Sequence, residues 1–220
     1  MEQTQTPASH LSLRDALVVS AICFGLFILA SFEAVMDGYP KAVFSDASNL
    51  YSILIEATLA VCALLYLHAR RFDIRALYPR PQWIGALQGV GIYITAEALA
   101  WVVTLPLVGD DGSAPLTAFS FQGVSLASTV AFAMVNGTFE EVFLLGVLVR
   151  GLRGHGLLFA AGFSLLVRLL CHTYQGPLGS VSILAFGLVL TVFYIRTGRL
   201  WPVVFAHILA DIVPVILSEG

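Results

Sequence analysis

Charge is scarce in this sequence. Only 11% of its 220 residues are Asp, Glu, Lys or Arg, whereas 58% are hydrophobic, and the mean hydropathy is +0.88. A soluble domain carries about 25% charged residues. A water-bathed surface around one core is therefore excluded, and lipid must form part of the solvent. No basic tract is dense enough to suggest nucleic acid. The three cysteines, Cys23, Cys62 and Cys171, all lie in apolar runs. A free thiol there behaves as a small hydrophobe, so no disulfide framework follows. Internal repeats and low-complexity tracts are missing too. The apolar runs do not alternate, and they exceed the ~10 residues of a membrane strand, which excludes a transmembrane β-barrel. The first run is too long for a signal-peptide core and lacks a small-residue cleavage site, so it reads as a retained span.

What remains is an all-α, polytopic transmembrane helical bundle of about seven spans. The apolar segments run roughly Ala16–Met36, Leu50–Ala69, Trp83–Val108, Gly123–Val149, Leu157–His172, Leu178–Ile195 and Leu200–Leu217. Each is near the ~20 residues that cross the hydrocarbon, the fifth being short. Residues 1–12 form a short polar N-terminus, and 13–220 a single transmembrane domain. If the spans alternate, Arg14, Arg70, Arg71, Arg75, Arg80, Arg150, Arg153, Arg196 and Arg199 share one side. Lys41 is alone on the other, and Arg168 lies within a span. The positive-inside rule makes the arginine side cytoplasmic. The expected setting is a bacterial-type inner (plasma) membrane, with the N-terminus cytoplasmic and with the Asp110–Asp111 loop and the C-terminus outside.

Ionisable groups inside spans are costly and mark function. Here they are Glu56, Glu97, Glu140, Glu141, Arg168, His172, His207 and Asp211. Glu140 and Glu141 are adjacent on a helix and point about 100° apart, so they cannot share one task. His207 and Asp211, four apart, lie on one face, as do Arg168 and His172. Glu56 sits near the outer end of its span, where its carboxylate is expected to reach water. Glu97 is deeper and is a candidate to line the same cavity as the others. Counting from the cytoplasmic ends, Glu140 lies about 15 Å deep, His172 about 22 Å and His207 about 10 Å. Bringing them level calls for helix tilt or a loosened chain entry at Gly151–Gly156.

The order Glu140-Glu141, His172, His207-x-x-x-Asp211 resembles the CPBP family of CAAX-processing and bacteriocin-processing intramembrane proteases. That family shows a double Glu with Arg four after the second, then Phe-x-x-x-His, then His-x-x-x-Asn or Asp. The run Tyr194–Pro202 leading into His207 is similar as well, and the likeness covers roughly 131–215. It implies an intramembrane endopeptidase of glutamate type, with its catalytic core in 124–217. Glu140 would be the general base that activates a water. His172 would position that water or the tetrahedral intermediate, and His207 and Asp211 would hold the oxyanion side.

Two positions depart from the pattern. Leu145 stands where the family has Arg, and Arg168 where it has Phe. Arg168 is therefore expected to supply, from the next helix, the guanidinium that Glu141 lacks within its own, because an uncompensated buried charge is strongly destabilising. At Asp211, a charged carboxylate would repel an oxyanion. It must either be protonated or orient His207. Two carboxylates and two imidazoles can also hold zinc, but no His-Glu-x-x-His is present, and a metal-free mechanism without cofactors is favoured. The expected partners are the lipid bilayer and a membrane-associated protein or peptide substrate. The competing readings are a catalytically inactive CPBP-like scaffold or immunity membrane protein, and a small proton-coupled transporter that uses Glu97, Glu140 and His207.

Overall fold

Serine caps start several of the helices. Ser12 Oγ accepts from the Asp15 amide at 3.1 Å, and Ser125 Oγ from the Ser128 amide at 3.2 Å. Ser45 and Ser48 form a reciprocal capping box. Each satisfies amides that the first turn would otherwise leave bare. The computed structural model describes residues 10–108, 119–121 and 123–218. The chain runs α1 (Leu13–Met36), β1 (Ala42–Phe44), α2 (Asp46–Ala69), α3 (Trp83–Thr104), β2 (Phe119–Phe121) and α4 (Leu126–Glu141). It continues without a break from α4 as a π-helical stretch (Val142–Val149), then α5 (Leu157–His172), α6 (Gly176–Thr197) and α7 (Leu200–Ser218). The Asp110–Asp111 loop, most of the polar N-terminus and residues 219–220 lie outside the described residues.

Among the described residues, six helical stretches are long and apolar enough to cross a membrane, and the longest, Leu157–Thr197, holds both α5 and α6. These fold back on each other. A Cβ added to Gly187 would lie 2.7 Å from Arg168 Cδ, whereas one straight helix would place the two residues about 28 Å apart. Seven helices therefore form an integral membrane bundle, as the apolar runs predict. The reversal at Thr173–Gln175 breaks the backbone ladder, and the freed amides need other partners. Buried Ser31 of α1 meets the need. Its Oγ accepts from the Tyr174 amide at 2.8 Å and shares a hydrogen bond with Thr173 Oγ1 at 2.9 Å.

The helices pack as a ring in the order α1, α2, α4, α7, α3, α6, α5 and back to α1. The π-helical stretch leaves the ring and fills one half of its interior, with all eight of its residues buried. The other half is open. At that end β1 and β2 pair in parallel, Ala42 with Phe119 through Phe44 with Phe121. The hydrophobic pattern did not announce these two short strands. At the opposite end Asp15, buried in the first turn of α1, receives Arg70 Nε at 2.8 Å and the Tyr66 hydroxyl at 2.7 Å. Arg150 pairs there with Asp73 at 3.0 Å.

Glycine sets the approach of α3 to α7. A Cβ at Gly89 would meet the Pro202 carbonyl oxygen at 2.8 Å and Phe205 Cβ at 2.9 Å, whereas one at Gly91 meets nothing within 4 Å. Overpacking of this kind typically costs about 1–3 kcal/mol. Gly89→Ala is expected to lower the thermal unfolding midpoint in detergent micelles, with Gly91→Ala as the silent control. Equal midpoints for the two variants would refute this account of the contact.

Candidate active site

The site is assembled by helix register. Ser164 Oγ of α5 donates to the Leu144 carbonyl at 2.8 Å, which fixes antiparallel α5 against the continuation of α4. Four residues on, Arg168 then lies beside Glu140 and Glu141, and His172 is one turn beyond. On the other flank, a Cβ at Gly137 of α4 would touch the Ile208 amide nitrogen at 3.2 Å and His207 Cβ at 3.4 Å. Antiparallel α7 thereby brings His207 level with Glu141 and Asp211 level with Asn136. The unequal depths counted along the sequence vanish because the helix starts do not share one plane. The chain enters α5 only after a 3₁₀ turn, Leu152–His155, and at Gly156, whose φ of 106° suits glycine.

At the centre is a buried ion cluster. Arg168 is 1% exposed and Glu141 0%. Arg168 Nη2 donates to Glu141 Oε1 at 2.7 Å and Oε2 at 2.8 Å, and Nη1 to Glu140 Oε2 at 3.4 Å. The guanidinium missing at Leu145 is thus supplied from α5. Leu145 itself is fully buried among apolar neighbours in the π-helical stretch. His207 Nδ1 lies 2.6 Å from Glu141 Oε1. Both Glu141 oxygens already accept from Arg168, so His207 must be the donor there, and Nδ1 carries a proton. Its Nε2 faces Asp211 Oδ1 at 3.8 Å, and Asp211 Oδ2 accepts from Asn136 Nδ2 at 2.9 Å.

His172 is fixed by the same reasoning. Its Nδ1 lies 2.8 Å from the Arg168 carbonyl, which can only accept, so Nδ1 is protonated and Nε2 is turned toward Glu140 Oε1 at 3.7 Å. In the neutral ring, Nε2 carries the lone pair. The gap of 3.7 Å exceeds a direct hydrogen bond and suits a bridging water.

These groups line a cavity of about 810 Å³ that runs from the paired strands down to Glu140. Glu140, Arg168, His172, His207 and Asp211 all border it, and Glu141 lies behind Arg168 and His207. Glu97, Glu56 and Asn136 are also among the residues that border it. Glu97 lines it although its side chain is otherwise exposed on α3. Glu56 does not reach the outer solvent expected for an acid near a span end: it is 3% exposed and faces the cavity. Asn136 went unnoticed in the sequence, although it lies four residues before Glu140 and therefore on the same helix face.

Glu140, Glu141 and His207 also have ligand atoms within 4.8 Å of one another, a spacing that can hold a metal ion. The donor set does not suit a divalent cation, because both Glu141 oxygens are engaged by a guanidinium that would repel it.

Removing one partner of a buried pair leaves an uncompensated charge worth about 3–5 kcal/mol. Arg168→Leu is expected to unfold the protein at markedly lower temperature in micelles. Arg168→Lys should recover only part of the loss, since one ammonium nitrogen cannot serve Glu141 and Glu140 from two separate donors as Nη2 and Nη1 do. Wild-type stability in Arg168→Leu would show that the pair does not hold the helices.

Among known proteins, residues 122–213 match the family model described as type II CAAX prenyl endopeptidase Rce1-like. No curated protein and no solved structure matches the chain significantly. The matched stretch contains Glu140-Glu141, Arg168, His172, His207 and Asp211 and agrees with the resemblance those residues carry. Over residues 122–213, less than half of its length, this multi-pass membrane protein is therefore similar to the Rce1-like CAAX prenyl endopeptidases.

Proposed function

We propose that the protein is an intramembrane endopeptidase of glutamate type, acting on a membrane-associated protein or peptide. The observation that carries this reading is the convergence of Glu140, His172 and His207 on one open cavity. Glu140 takes a proton from a water held between its carboxylate and His172 Nε2. The water oxygen attacks the scissile carbonyl carbon, and the carbonyl becomes an oxyanion. As the tetrahedral intermediate collapses, the C–N bond breaks and Glu140 returns the proton to the leaving nitrogen.

His207 serves the oxyanion. Held from behind by Glu141 through Nδ1, it presents Nε2 to the cavity, and a ring protonated on both nitrogens donates from there. Asp211 acts on His207 rather than on the oxyanion. It stands where the family often has Asn, and the amide next to it belongs to Asn136, whose second N–H remains for the substrate oxygen. Glu141 and Arg168 are positioning residues. The mechanism runs through these side chains without a bound metal, a reading supported by the guanidinium across Glu141.

The arginine-rich end is assigned to the cytoplasm by the positive-inside rule. The cavity mouth at the strands then faces the other side. That orientation favours substrates that arrive from outside or sideways from the bilayer.

The family description makes a farnesylated peptide with a C-terminal CAAX sequence the first probe. Purified protein in micelles is expected to cleave it. Glu140→Gln and His172→Ala should each lower kcat by about 10²–10⁴-fold with little change in unfolding temperature. Wild-type turnover in both variants would end the protease reading.

A further inference from the structure

Glu56 stands apart from the machinery above. It belongs to α2, outside the stretch that matches the family, and none of the proposed steps uses it. It is 3% exposed, and its Oε2 has no hydrogen-bond partner among the described residues. Its charged neighbours are Glu140, Asp211 and His207, and it borders the same cavity. A buried carboxyl oxygen without a partner is destabilising, and native proteins rarely leave one.

The surroundings indicate what answers it. Asn49, Ser52 and Glu56 follow one another at i, i+3 and i+7 along α2, and all three border the cavity. Together they form a polar stripe that leads from the strands at the mouth down toward Glu140. Facing walls are aromatic, including Phe24, Phe27 and Phe186. In the free enzyme water can meet Glu56. A bound chain that fills the cavity displaces that water and must replace its hydrogen bond, or binding loses it. Phenylalanine side chains cannot do so, and the peptide backbone of an extended substrate can.

We propose that Glu56 is a substrate-positioning residue that hydrogen-bonds the backbone of the bound peptide and seats it along α2 with the scissile bond at Glu140. The assignment rests on the protease reading. Protonated, the carboxyl donates to a backbone carbonyl; ionised, it accepts from a backbone N–H. Either form is mimicked by the amide of glutamine, which both donates and accepts.

Two variants test this with the farnesylated peptide. Glu56→Ala is expected to raise KM about tenfold, the worth of one such hydrogen bond, with kcat within about threefold of wild type. Glu56→Gln should return KM to within about threefold of wild type. Binding of the same peptide to Glu140→Gln, followed by fluorescence anisotropy, should weaken about tenfold when Glu56→Ala is added. An unchanged KM in Glu56→Ala overturns the assignment. So does a Gln variant as impaired as the Ala variant, since that would mean a full charge meets a cationic group. If the wild type binds the peptide without cutting it and Glu56→Ala weakens that binding, the protease reading fails and with it the seating of a scissile bond, and only the contact of Glu56 with a bound peptide stands. If cleavage is robust and Glu56→Ala alters neither KM nor binding, only the role of Glu56 fails. A peptide that neither binds nor is cut overturns both.

Discussion

The ion pair between Arg168 and Glu141 is the constraint from which the rest of the site follows. Two full charges far from water are tolerated only when each is matched closely, and here the guanidinium spans both carboxylate oxygens. This contact ties α5 to α4, and His207 on the same carboxylate ties α7 to both. It also decides proton positions. A carboxylate paired with Arg168 can only accept from His207, so the ring nitrogen facing the cavity is the other one. Space for the arrangement comes from Gly187 on α6, where a side chain would run into the aliphatic part of Arg168.

The bundle divides its interior unequally. In one half the π-helical stretch supplies Val142–Val149 as a continuous apolar plug. In the other the same helix presents Asn136 and Glu140 to an open cavity. A wider helical turn at the junction accompanies this change, and π-helical segments occur often beside functional sites. Polar side chains cluster on α2, α4 and α7 where the cavity is open, and the aromatic rings cover the remaining wall. Such a division leaves room for water beside Glu140 without wetting the whole bundle.

Much of this was legible in the sequence, and the remainder was hidden for identifiable reasons. The seven helices follow from unbroken apolar runs, and α5 falls on the run Leu157–His172 itself. Glu140, Arg168, His172, His207 and Asp211 stand out because charge is so rare in the spans. Relative depth was not legible. Counting residues assumes that helices begin in a common plane, whereas Ser164 and Gly137 set the true registers. Asn136 was overlooked because an amide in a span draws less notice than a charge, although its spacing to Glu140 carried the signal. Glu56 was misjudged because its place along α2 says nothing about which way that helix turns. The strands β1 and β2 escaped because three residues are too few for an alternating pattern to register.

The Ser31 hydroxyl beneath the α5–α6 reversal has a bearing on biogenesis. The amide it receives belongs to a hairpin made more than a hundred residues later, when α1 already sits in the bilayer. The late hairpin therefore enters the membrane with a partner for one of its freed amides already in place. Truncation of the first helix would leave that amide without its partner, and the order of synthesis thus becomes part of how the half that holds the cavity acquires its shape.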